Sequence, residues 1–131
     1  MTTAPANTPI VTPSEWAPQK AIWTAWPADP AEWNDDLEAP RRDVAALVRA
    51  LSIAGNKVRV LANGDEAEAT ARAALPIDVA EIIPAKYGDI WLRDTGPIFA
   101  QTPEGIVALR FRTNSWGGKY DLPDDATVGD H

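Results

Sequence analysis

None of the 131 residues is a cysteine. The chain therefore has no disulfide and no thiolate-bound metal to hold it together, and its folded state must rest on burying its own apolar side chains. The composition allows this. Hydrophobic residues make up 45% and charged residues 24%, close to a soluble globular average and enough for one ordinary domain. The lack of cysteine also removes any cysteine nucleophile. His131, the last residue, is the only histidine, so Cys/His zinc sites and buried-histidine catalysis within this chain are excluded too. A hard cation held by carboxylates stays open, although no EF-hand spacing occurs.

Seven of the 12 prolines fall in residues 1–40, so this part is expected to be extended and irregular with little helix. Within it, Ala21–Pro27 reads as a buried strand ended by proline. Pro40 opens a helix to about Ala54, with Val44, Leu47, Val48 and Leu51 on one apolar face and Gly55-Asn56 as its stop. Lys57–Leu61 alternates as a strand. A second helix follows over about 65–75, with Asn63 as a candidate cap, Glu68 and Arg72 paired at i, i+4, and Pro76 closing it. Asp78–Ile83 reads as the next strand. Strands alternating with helices predict an α/β protein with helices covering a sheet. Lys86–Pro97 fits neither helical nor strand period. Ile98–Gln101 and Ile106–Phe111 read as a hairpin turning at Thr102-Pro103-Glu104-Gly105. A second irregular loop spans Asn114–Asp121, and the acidic tail Leu122–His131 is patternless.

The net charge is −7. Residues 1–40 carry −5 of it, with Lys20 the one cation among them, and residues 41–131 carry −2. Such a field repels polyphosphate and attracts small cations, so nucleic acid is a poor partner and a cationic small molecule a good one. No apolar run approaches the length that spans a bilayer, and Met1–Asn7 has no secretory pattern, so no membrane partner is expected and cytoplasm is the default compartment.

The densest chemistry lies in Asp89-Ile90-Trp91-Leu92-Arg93-Asp94. Two carboxylates bracket a tryptophan on a segment leaving a predicted strand. A carboxylate held in fixed orientation can take a guanidinium by paired charge-assisted hydrogen bonds, and an aromatic face adds cation–π attraction. The plainer alternative is that Arg93 pairs with Asp89 or Asp94 to tie down a turn, with Trp91 in the core. Trp116-Gly117-Gly118 poses the same choice between a pocket wall, where glycine lets the backbone approach a ligand, and an ordinary turn. Trp16, Trp23, Trp26 and Trp33 read as core beneath the proline-rich arm rather than as a stacking groove. Glu15 and Asp29 read as solvated. Ser52 and Ser115, without a partner histidine, are not nucleophiles.

Four segments together, Glu15-Trp16-Ala17-Pro18, Thr24-Ala25-Trp26-Pro27, Asp89–Pro97 and Phe111–Tyr120, resemble the agmatine deiminase and bacterial-type peptidylarginine deiminase family. These are guanidine-modifying penteins, and the segments occur here in the family's order across nearly the whole chain. The resemblance implies a fan of αβ modules with mixed sheets around a central site. It implies hydrolysis of a guanidinium to a ureido group with release of ammonia, as in agmatine to N-carbamoylputrescine in putrescine biosynthesis, with no metal or other cofactor. The partner is then agmatine or an arginine side chain. By position in the motif, Asp94 corresponds to a carboxylate that clamps the guanidinium and Trp91 to a substrate-contacting aromatic. Trp116 and Gly117 correspond to pocket wall, with Asp89 and Arg93 beside them.

The family's nucleophilic cysteine and catalytic histidine lie later, in a protein well over twice this length. The expectation is thus the N-terminal part of one deiminase domain, a partial α/β propeller that stops before closing. Residues 1–40 form an entry segment, 41–101 an αβ module with the Asp-Ile-Trp-Leu-Arg-Asp loop, and 102–131 a return strand and the start of the next module. Such a chain alone is expected to be inactive, and its uncovered module edges favour self-association. The alternative is a non-catalytic module that binds guanidines or a protein partner.

Overall fold

A computed structural model describes residues 9–130 of the chain. His131 and the first eight residues, which the readings of the terminus concern, lie outside them. The core is a three-stranded parallel sheet of β1 (Ile22–Ala25), β2 (Val58–Ala62) and β3 (Glu81–Pro84), in that spatial order. Parallel neighbours need crossovers, and two helices supply them. α1 (Glu38–Ile53) joins β1 to β2, and α2 (Asp65–Ala74) joins β2 to β3. Val44 and Val48 of α1, Val58 and Val60 of β2, and Ala67, Ala71 and Leu75 on and after α2 form one buried cluster with Trp26.

β2 is the central strand, and four of its five residues are buried. Its apolar run is what covering on both faces requires. The small alanines of α2 let that helix lie close on the sheet. Arg41 reaches from α1 to α2, where it makes two 2.7 Å bonds to the carboxylate of Glu66. Glu68 and Arg72 pair as the i, i+4 spacing anticipates.

After β3 come a single helical turn, α3 (Leu92–Thr95), and an antiparallel hairpin of β4 (Ile98–Thr102) and β5 (Gly105–Leu109). This hairpin is a separate two-stranded sheet, and Val11 bridges to Gln101 on its β4 side. A left-handed turn at Ser115–Gly118 follows, and then 3-10 turns over Pro123–Asp130. Neither sheet closes on itself.

Several local expectations are corrected. Asn63 does not cap α2: Gly64, at φ +91°, holds the cap position, and the Asn63 amide turns to the Tyr87 carbonyl instead. β3 begins at Glu81, because Pro76 to Val79 make a turn first. Lys86–Pro97 does contain a helical turn. Leu47 is about half exposed, leaving Val44 and Val48 as the buried stripe of α1. Of the four early tryptophans only Trp26 is buried, its indole N–H donating to Thr70 Oγ1 at 3.0 Å, while Trp16 is 88% exposed. A 3-10 turn at Pro30–Trp33 interrupts the proline-rich arm. The tail is not patternless, since Asp125 and Val128 are buried within it.

Candidate active site

Three parallel strands deliver three connections to the same carboxyl edge of the sheet, where α/β proteins gather their ligand-binding groups. β1 runs out into Trp26–Asp29, β2 into Asn63, and β3 into the segment Tyr87–Thr95. Tyr87, buried, ties these exits together. Its hydroxyl donates to the Trp26 carbonyl at 2.5 Å and accepts the Asn63 N–H at 3.1 Å. The Tyr87 carbonyl accepts the Asn63 side-chain amide at 2.7 Å. Desolvation pushes the Tyr87 phenol up to about 12, so it stays a neutral donor.

Beyond Tyr87 the backbone follows a series of short local bonds. Asp89 Oδ1 accepts the Ile90 N–H at 2.6 Å, and the Ile90 carbonyl accepts the Leu92 N–H at 2.8 Å. The Trp91 carbonyl takes the N–H groups of Asp94 and Thr95 together with the Thr95 hydroxyl. The result is one tight turn that presents Trp91, 55% exposed, and an exposed Asp94 to solvent while Thr95 is buried beneath them.

Arg93 does not pair with Asp89 or Asp94. Its guanidinium bonds Glu15 of the N-terminal arm, and that carboxylate, with Asp94 contributing less, holds the Arg93 pKa above its ordinary value. Glu15 is therefore an ion-pair partner, and Asp29 caps the Pro30–Trp33 turn by accepting the Ala31 N–H at 2.9 Å. Both remain exposed.

The sheet edge is acidic. Burial raises the Asp89 carboxyl pKa, opposed by the Ile90 N–H and helped by the charge of Asp125. Glu32 is raised as well, by desolvation first and then by Asp89, Asp29 and Asp125. Carboxylates that repel one another across a partly desolvated surface are eased by an incoming cation. A cavity of about 160 Å³ opens here, lined by Asp29, Asn63, Tyr87, Gly88, Asp121 and Leu122 among others; Trp91 and Asp94 lie outside its lining. Among the described residues, no group of three acidic or histidine side chains is arranged to hold a metal ion.

Trp116 and Gly117 lie on the turn after the hairpin, both exposed. Asn114 Oδ1 accepts the Gly117 N–H at 2.9 Å, and the Trp116 ring meets Tyr120 edge-to-face at 5.9 Å. Ser115 (φ 53°) and Trp116 (φ 55°) are held left-handed, a conformation that costs a non-glycine residue free energy. Asp89, Trp91, Arg93 and Asp94 thus share one loop, whereas Trp116 and Gly117 sit on another. Neither Tyr87 nor Asp125 carries a local signal of its role, and Asn63 signals only a cap, because their roles lie in contacts across the fold.

This architecture is that of the solved agmatine deiminases. It superposes on the C. jejuni enzyme with substrate bound at a TM-score of 0.81, with 22% identity over 99% of this chain and 38% of that one. The agmatine deiminase of Enterococcus faecalis matches at the same TM-score, 0.81, with 23% identity over 92% of this chain and 34% of that one. Residues 11–131 match the model of the Porphyromonas-type peptidyl-arginine deiminase family, and the chain belongs to that family. Among curated relatives, the agmatine deiminase of Stutzerimonas stutzeri is 32% identical over 120 residues, covering 91% of this chain and 32% of that protein. That of Ectopseudomonas mendocina is 31% identical over 119 residues. The chain spans about a third of the length of these relatives. No helix among the described residues is long and apolar enough to cross a membrane.

Proposed function

We propose that this chain supplies the guanidinium-recognising part of an agmatine deiminase-like hydrolase. Asp94 is the carboxylate that clamps the guanidinium nitrogens, Trp91 the aromatic beside them, and Trp116-Gly117 part of the pocket wall. The reading is carried by one observation: in a chain of the deiminase family, Asp94 and Trp91 stand exposed on a hydrogen-bonded turn at the carboxyl edge of a parallel sheet. The carboxylates of Asp29, Glu32 and Asp89, which interact with one another at the same sheet edge, also favour a cationic ligand.

The chemistry explains why these residue types are needed. A guanidinium is resonance-stabilised and a poor electrophile, so it must be oriented and kept charged while a nucleophile adds to its carbon. A fixed carboxylate does both by accepting two N–H bonds. Water then replaces one nitrogen, turning agmatine into N-carbamoylputrescine and ammonia, a step toward putrescine. This chain has neither a cysteine nor an internal histidine to act as nucleophile or proton carrier, so alone it is inactive. It forms the N-terminal part of a partial propeller: the 1–40 entry segment, the 41–101 module and the start of a further module over 102–131. The later modules complete the site, and a cytoplasmic setting suits the small-molecule substrate. In the isolated chain the exposed apolar side chains of the hairpin, among them Phe99 and Ile106, drive self-association.

The test reads the coding frame past the codon for His131 and assays the complete product for ammonia from agmatine. Turnover by the complete product, none by the 131-residue chain, and a loss of about a hundredfold or more in Asp94→Asn are expected. Full activity in Asp94→Asn overturns the assignment. A stop directly after His131 replaces it with a non-catalytic module that binds guanidines.

A further inference from the structure

Asp125 is the one charged side chain buried to 1% exposure among the described residues, and nothing in the local sequence marks it out. We propose that Asp125 is a positioning residue: it fixes the loop that carries Trp91 and Asp94 by holding the backbone where that loop begins. The proposal rests on the reading of Asp94 as the guanidinium-recognising carboxylate. Asp125 Oδ1 accepts the N–H of Gly88 at 2.8 Å and that of Asp89 at 3.3 Å, from 37 and 36 residues away. From there the bonds run on without a break. Asp89 accepts from Ile90, Ile90 from Leu92, and Trp91 from Asp94 and Thr95.

The segment bearing Asp125 is itself fixed. Val128 is buried against Ala25, Leu61 and Tyr87. The Arg110 guanidinium donates to the Ala126 carbonyl at 2.7 Å and pairs with Asp130. On the other side Gly88 has no room for a side chain: a Cβ there would stand 2.7 Å from Leu122 Cβ. Two rigid pieces are thus held face to face, with one carboxylate oxygen as the bond between them. Asp125 Oδ2 finds no partner among the described residues, and the charge lies close enough to Asp89 to raise that group's pKa. Charge-assisted bonds to backbone N–H groups are stronger than neutral ones, which suits a loop that must hold a clamp in fixed orientation.

The experiment uses the ¹⁵N-labelled 131-residue chain with Asp125→Ala and Asp125→Asn, read by amide exchange and chemical shift and by titration with agmatine. In Asp125→Ala the Gly88 and Asp89 amides should exchange about tenfold faster or more, and the Trp91 and Asp94 signals should broaden, with Val48 and Val60 still protected. Asp125→Asn keeps an oxygen acceptor without the charge and should restore most of the Gly88 and Asp89 protection. Unchanged exchange at Gly88 in Asp125→Ala overturns the proposal. If Asp125→Ala instead unfolds the whole chain, Asp125→Asn decides: restored Gly88 protection supports the tether, and failure to restore it overturns it. Agmatine should shift the Asp94 and Trp91 signals in the wild-type chain and not in Asp125→Ala; equal shifts in both overturn the tether. Should agmatine move nothing in the wild-type chain while Asp125→Ala still frees Gly88, the tether stands, and the recognition reading is decided by Asp94→Asn in the complete product.

Discussion

The Tyr87 hydroxyl donates to the Trp26 carbonyl across 61 residues of sequence, at 2.5 Å and inside the core. That bond joins the exit of β1 to the exit of β3, and the Asn63 N–H bonded to the same oxygen brings in the exit of β2. The candidate loop therefore starts from a point fixed on all three strands.

Replacing Tyr87 with phenylalanine keeps the ring and removes the oxygen. The buried Trp26 carbonyl and Asn63 N–H lose their partner, which costs about 1–3 kcal/mol. Urea denaturation should show that loss. Because the folded phenol titrates at about 12 against an ordinary 10.0, the folded state favours the protonated form. The contribution of Tyr87 is complete below pH 10 and should drain away as pH rises through about 12. Absorbance at 295 nm, compared between wild type and Tyr87→Phe, should place its tyrosinate there.

Glu66 has its pKa lowered, chiefly by the hydrogen bonds from Arg41. A depressed carboxyl contributes stability that is present above its unfolded pKa and lost as pH falls through the folded one. The Glu66 side chain is largely exposed, so its worth after solvent screening is below about 1 kcal/mol. Glu66→Gln should lower the urea midpoint slightly at pH 7, and the loss should shrink as pH falls below the ordinary glutamate value of 4.5. A loss that stays constant as the pH is lowered until both states are protonated would mean that packing, not charge, sets the effect.

Asp89 gives the opposite slope. Burial, reinforced by Asp125 against the Ile90 bond, raises its pKa. The folded state prefers the protonated acid, so this stability is present below the unfolded pKa and lost as pH rises through the folded one. Asp89→Asn keeps an oxygen for the Ile90 N–H and removes the charge. It should raise the urea midpoint at pH 7 and have no effect at pH 3. A lower midpoint at pH 7 would mean that the charge of Asp89 is satisfied by a cationic partner in the folded chain.

Sequence pattern reached the elements whose identity is local. The heptad-like spacing of Val44, Val48 and Leu51, the alternation in Lys57–Leu61 and the hairpin around Pro103 are all visible within a few residues. The Asp89–Asp94 loop stands out because the Lys86–Pro97 segment around it fits no period, and it is one of the four segments on which the family resemblance rests. What stayed hidden depends on distant partners. Asn63 is an ordinary cap until Tyr87 arrives 24 residues later to take its amide. Trp16 reads as core because it clusters with three other tryptophans in a proline-rich arm, yet no element covers it and it is largely exposed. Asp125 sits in an acidic tail where nothing local distinguishes it from Asp121, Asp124 and Asp130, none of which is buried.

Gly88 tests that hidden contact from the other side. Its backbone lies against Leu122, and an added Cβ would stand 2.7 Å from Leu122 Cβ and 2.9 Å from its Cδ2, with Asp125 Oδ1 at 3.2 Å. Distances under 3.0 Å cannot be kept, so Gly88→Ala must push the Leu122–Asp125 segment away from the loop. Overpacking of this kind costs about 1–3 kcal/mol. Here it also lengthens the Asp125 bonds that we assign to holding Asp94. Gly88→Ala should therefore lower the melting temperature and raise amide exchange at Asp89 and Ile90, with α1 and β2 still protected. In the complete product it should also cost ammonia release from agmatine. A variant with wild-type melting and wild-type exchange would mean that the tail yields freely and that the contact constrains nothing.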